Sequence, residues 1–156
     1  MEELIFEHIG LGVLRSILMI KKLLEKNLEL VDGTYYGSTK VDGVNAEILI
    51  DTAGQEKRGA GLIEFSNEFI VWLQKNRLVV KKFAAKKLVT VKNTHWLEPK
   101  EKPVTESGFV KKMKLQSITI NYDKTALLFY DVGKLFGDHS AIVEVDKKYK
   151  LSDAHL

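Results

Sequence analysis

Near residue 113 the spacing of apolar residues along this chain changes, and that change constrains the fold more than any other feature. Between Leu62 and Lys92, apolar residues recur at three- and four-residue steps: Phe65, Phe69, Trp72 or Leu73, Val79 or Val80, Phe83 and Leu88. Such spacing lines one stripe of an α-helix. From Leu115 onward the period falls to two, over Leu115 to Asn121, Ala126 to Tyr130 and Ala141 to Val145, with a turn at Tyr122-Asp123-Lys124. Alternation puts every second side chain on one face of a strand. The two regimes therefore predict a helical layer and a sheet layer in one molecule.

Upstream, Leu11, Leu14, Leu18, Leu23 and Leu24 predict a helix over Leu4 to Leu30, weakened in front by Gly10 and Gly12. Asp32-Gly33 then breaks the pattern, and Thr34 to Lys40 is aromatic and β-prone. Asp42-Gly43 predicts a hairpin turn into Val44 to Ile50, where apolar and polar residues alternate. Lys75-Asn76 marks either a break between two helices or the middle of one, and Thr105 is an expected N-cap for a short helix ending near Met113. Strands, then helices, then strands give an α+β class: an antiparallel sheet packed against one long or two consecutive helices, plus an N-terminal helix. No Gly/Ser- or Pro-rich linker interrupts the 156 residues, so the expected organisation is an N-terminal helical segment, 1–33, and a single α+β domain, 34–156.

The chain has no cysteine, which removes disulfides, thiolate metal sites and cysteine nucleophiles from consideration. The apolar run from Ile9 to Ile20 contains Arg15 and follows Glu2, Glu3 and Glu7, the wrong charge for a signal peptide and too short for a membrane span. A cytoplasmic protein without membrane association is the expectation.

Charge is unevenly distributed. Residues 1–74 carry 7 basic and 12 acidic side chains, whereas 75–156 carry 17 basic and 9 acidic. Lys75, Arg77, Lys81, Lys82, Lys86 and Lys87 interleave with the helical stripe and define a candidate basic surface. Residues 75–114 hold 12 lysines and arginines against 3 glutamates, with Phe83 and Trp96 among them, which is the raw material for binding nucleic acid. Phe83 falls on the apolar stripe, however, and no nucleic-acid-reading motif accompanies the charge, so a solvated lysine-rich face is the simpler reading.

Asp51-Thr52-Ala53-Gly54-Gln55-Glu56 matches the switch motif of Ras-like GTPases and follows a strand. The motif functions only beside a phosphate-binding G-x-x-x-x-G-K-[ST] loop, which is absent, as is an Asn-Lys-x-Asp base-recognition motif. GTP hydrolysis is rejected, and Asp51 and Gln55 are expected to serve a turn or a cap.

The histidines, His8, His95, His139 and His155, include no i, i+4 pair, and no serine sits in a nucleophile elbow. The residues suggest no catalytic set, metal site or cofactor. The best polar constellation is Asp131, Asp138 and His139, gathered if the last two predicted strands pair, with His95 nearby. Two carboxylates and an imidazole are suited to ligand binding or proton transfer. Asp and Gly at 131, 133, 137 and 138 equally suit a wide hairpin loop.

Leu88 to Leu97, Thr105-x-x-x-Phe109, Met113, Leu115-x-Ser117-Ile118-x-Ile120 and the Asp131, Gly133, His139-Ser140 hairpin, taken in order, resemble an uncharacterised bacterial family, the domain of unknown function 2262. The likeness covers roughly 34–156, with Lys134 and Gly137 standing where the family carries an acidic residue and a tryptophan. It implies a bacterial, intracellular α+β protein and no particular reaction. The function expected first is a non-catalytic interaction module, of regulator or toxin-neutralising type, with an unknown protein partner. The alternatives are an enzyme or ligand-binding protein with its site at the last hairpin, and nucleic-acid binding through the basic segment.

Overall fold

Two Asp-Gly dipeptides organise the front of the sheet in the computed structural model, which describes residues 28–156. Asp32 and Gly33 have φ of +48° and +77°, and Asp42 and Gly43 have +54° and +74°. Two central residues with positive φ give the turn whose twist matches paired strands. The first joins β1 (Glu29–Val31) to β2 (Thr34–Val41), the second joins β2 to β3 (Val44–Asp51), and both pairs are antiparallel. The end of the expected N-terminal helix is thus a strand at 29–31; the rest of that helix, 1–27, lies outside the described residues.

The chain then passes through a 3₁₀ turn (Glu56–Arg58) into α1 (Gly59–His95), which runs unbroken through Lys75-Asn76 for 37 residues, about 55 Å. A short α2 (Glu106–Lys112) follows, and the Thr105 hydroxyl caps it by accepting a hydrogen bond from the Gly108 amide at 3.1 Å. β4 (Lys114–Ile120), β5 (Ala126–Asp131), β6 (Ala141–Val145) and β7 (Leu151–His155) complete one sheet of order β1-β2-β3-β4-β5-β6-β7. Every neighbouring pair is antiparallel except β3–β4, which the long helical crossover makes parallel. The fold is α+β, with a sheet that is mostly rather than wholly antiparallel.

The core lies between the sheet and α1. Ile48 and Ile50 of β3, Ile118 and Ile120 of β4, Leu128 and Tyr130 of β5 and Val143 of β6 are all buried, as are Phe69, Leu73, Val80, Ala84 and Leu88 of α1. Of the strands, β7 has the most extensive backbone contact with α1. Tyr149, in the β6–β7 turn, stacks on Trp72 (5.4 Å between centroids) and Phe65 (5.8 Å), fastening the last hairpin to the helix. Alternation breaks once within β4: Leu115 opposes Tyr130 but Ser117 opposes Phe129, so Gln116 is an extra, bulged residue.

The switch-like loop is structural. Asp51 ends β3 and accepts a hydrogen bond from the Ala53 amide at 2.7 Å. Buried Thr52 donates both its amide (3.0 Å) and its hydroxyl (2.6 Å) to the Gly33 carbonyl. A β-carbon at Gly33 would lie 2.9 Å from the Gly54 α-carbon, so the Asp32-Gly33 turn fits against this loop only because it has no side chain. Asp51 serves a turn as expected; Gln55 occupies the residue before the 3₁₀ turn, but its side chain caps nothing.

Candidate functional site

Two depressions in the described surface are candidate sites, one polar and one apolar. The polar one is a cleft of about 350 Å³ over the β5–β6 loop, lined by Gln116, Asp131, Lys134, Asp138, His139 and Ser140 among others. Pairing of β5 with β6 does bring Asp131, Asp138 and His139 to one place. The β4 bulge adds Gln116, whose side-chain oxygen accepts from the Ser140 hydroxyl at 3.1 Å. His95 does not join them: it is exposed at the end of α1 and is not part of the lining.

The geometry assigns most of these groups to the loop itself. The Asp131 carboxylate accepts from the Gly133 amide at 2.8 Å and so closes the turn. Asp138 pairs with Lys134 at 3.3 Å, with both side chains nearly fully in solvent (98% and 89%), an arrangement of little energetic weight. The His139 amide donates to the Phe136 carbonyl, and its ring meets Trp96 edge-on at 5.6 Å. Beneath them Phe136 is buried between Trp96 (5.7 Å) and Phe109 (6.1 Å). Tyr130, just before Asp131, is a core residue whose phenol burial pushes far above its ordinary range, which unsuits it as a base. Among the described residues, no three His, Asp or Glu side chains gather as ligands to a metal would.

A second polar knot lies nearby. Lys92 of α1 is only 2% exposed, and its ammonium donates to the Trp96 carbonyl (2.6 Å) and to Glu101 (2.7 Å). The Glu98 amide, first, and Lys92, second, hold the Glu101 carboxyl below the usual carboxylate range. Asn93 binds the Val104 amide and carbonyl, both at 2.9 Å. These bonds fold the 96–105 connection back onto the helix end. A lysine run carries no sign that one member will be buried, so the sequence did not mark Lys92.

The apolar depression, of about 740 Å³, lies between the middle of α1, α2 and the start of β7. Leu78 and Val79 of α1 line it while remaining 51% and 58% exposed, joined by Phe83, Val110 and Leu151. Their exposure follows from the run Leu78-Val79-Val80: the helix turns by about 100° per residue, so only Val80 reaches the core. Lys82, Lys86 and Lys111 stand around it, with Glu106 as the one acidic lining residue.

The expected basic surface is divided by this geometry. Arg77 and Lys81 both reach Asp42, at 2.8 and 3.7 Å, and Lys87 reaches Asp153 at 2.6 Å while its ammonium lies 5.4 Å from the Phe83 ring centre. Lys82 and Lys86 turn to the apolar groove, and Lys75 is exposed beyond it.

The family model described as "Uncharacterized protein conserved in bacteria" (DUF2262) matches residues 24–156, and the chain belongs to that family. The match begins ahead of β1 and so takes in the first hairpin. No curated protein and no solved structure matches the chain. Among the described residues, no helix is long and apolar enough to cross a membrane.

Proposed function

We propose that this member of an uncharacterised bacterial family is a non-catalytic interaction module, which binds another protein at the groove between α1 and α2. The observation that carries the reading is the pair Leu78 and Val79, large apolar side chains left half exposed in the middle of an otherwise well-packed helix. Contiguous apolar surface with a polar rim is the usual mark of a binding site, whereas single exposed leucines are not. The polar cleft supports the same conclusion from the other side: Asp131 is engaged by its own turn. A regulator, or a partner that neutralises a toxin, would use such a face.

The test is affinity capture from bacterial lysate, after nuclease treatment, with three forms of the full chain. Wild type and an Asp138→Ala/His139→Ala variant should retain the same stoichiometric protein, and Leu78→Glu/Val79→Glu should lose it. Retention by the groove variant together with loss by the cleft variant would move the site to the β5–β6 loop.

A further inference from the structure

Resting on that reading, we infer that the groove takes an acidic, amphipathic segment of the partner, its apolar side chains on the floor and its carboxylates against Lys82, Lys86 and Lys111. Lys82 and Lys86 are one helical turn apart on α1 and project from the same side, while Lys111 rises from α2. Among the described residues, none of these three ammonium groups forms an ion pair, although Arg77, Lys81, Lys87, Lys92 and Lys134 all do. Most other lysines, Lys75 and Lys112 included, are likewise unpaired among the described residues; what sets these three apart is the apolar lining they share, with Glu106 its only acidic member.

The lining selects among acidic partners. Lys82 and Lys86 on α1 and Lys111 on α2 place positive charge at the edge of the apolar floor, with Glu106 beside Lys111. The floor of Leu78, Val79, Val110 and Leu151 is aliphatic and offers no face on which bases could stack. Its one aromatic, Phe83, already carries the Lys87 ammonium near its ring. From Leu78 to Lys86 the α1 wall is about 12 Å long, enough for two turns of a bound helix presenting apolar side chains at i, i+3 or i+4, and i+7.

The experiment is a fluorescence-anisotropy titration of the full chain with three labelled helical peptides. All carry leucines at i, i+3, i+4 and i+7, and they differ only in whether the flanking residues are Glu, Gln or Lys. The Glu peptide should bind about tenfold more tightly than the Lys peptide and weaken as salt is raised. Lys82→Glu/Lys86→Glu should lower its affinity by about tenfold and reverse the preference in favour of the Lys peptide. Leu78→Glu should abolish binding of all three, and thermal melts confirm that each variant is folded.

Equal binding of the Glu and Lys peptides, still abolished by Leu78→Glu, would overturn the acidic partner and leave the groove reading standing. Binding unaffected by Leu78→Glu would overturn the groove itself. Failure of all three peptides to bind would also overturn the inference. So would tighter binding to anionic lipid vesicles or a single-stranded oligonucleotide than to the Glu peptide, if that binding were lost in Lys82→Glu/Lys86→Glu.

Discussion

The cleft over the β5–β6 loop and the groove beside α1 hold comparable numbers of charged residues, yet they use them in opposite ways. In the cleft, Asp131 closes a turn and Ser140 meets Gln116, while Asp138 stands in solvent beside Lys134. In the groove, Lys82, Lys86 and Lys111 surround apolar surface and form no ion pair among the described residues. A polar cluster engaged by its own loop shapes that loop. Charges without internal partners, set around exposed hydrophobic side chains, are available to an external one. The comparison favours the groove although the cleft contains the residue types that sequence reading associates with chemistry.

If the cleft loop is mainly structural, its sharpest test is the ring beneath it. Phe136→Ala empties a buried site and should cost about 3–5 kcal/mol in urea unfolding. Leu78→Ala, on the half-exposed groove, should stay within about 0.5 kcal/mol of wild type. A reversal of that order would break the comparison. Asp131→Ala should follow at about 1 kcal/mol, the ordinary loss for a turn carboxylate that satisfies a backbone amide, read in the same experiment.

The β6–β7 turn offers a related case, because Asp146 accepts from the amides of Lys150 and Lys148, and those bonds hold its carboxyl below the usual range. A carboxylate with a depressed folded pKa contributes stability above its unfolded value, about 3.9, and loses it as pH falls through the folded value. Asp146→Asn should therefore flatten the acid limb of a stability–pH curve. An unchanged limb would detach that turn from the account. The smallest effect belongs to Asp138→Ala, expected within about 0.5 kcal/mol of wild type because both members of its ion pair are almost wholly in solvent.

Much of the fold was legible because local chemistry and tertiary packing agree. Asp42-Gly43 forms its hairpin, Thr105 caps its helix, and the alternation over 126–130 and 141–145 matches the buried faces of β5 and β6. The first strand was hidden by leucines upstream that continue a helical spacing to Leu30, although Asp32-Gly33 is the same turn dipeptide as Asp42-Gly43. β7 escaped notice because it is a short edge strand in which only Ala154 is buried, leaving no alternation to see. The gathering of Asp131, Asp138 and His139 followed from a hairpin and was foreseeable, while Gln116 arrives through a bulge that no local signal announces. The groove was half visible: Leu78-Val79-Val80 cannot all face one core, but which lysines turn towards it depends on where Asp42 and Asp153 lie in three dimensions.

The most direct test of the central claim is an amide chemical-shift map of the full chain titrated with the Glu-flanked amphipathic peptide. The account predicts shifts concentrated at Leu78, Val79, Lys82, Phe83, Val110 and Leu151, with residues 131–140 unmoved. Shifts centred on Asp131, Asp138 and His139, with the groove silent, would contradict it.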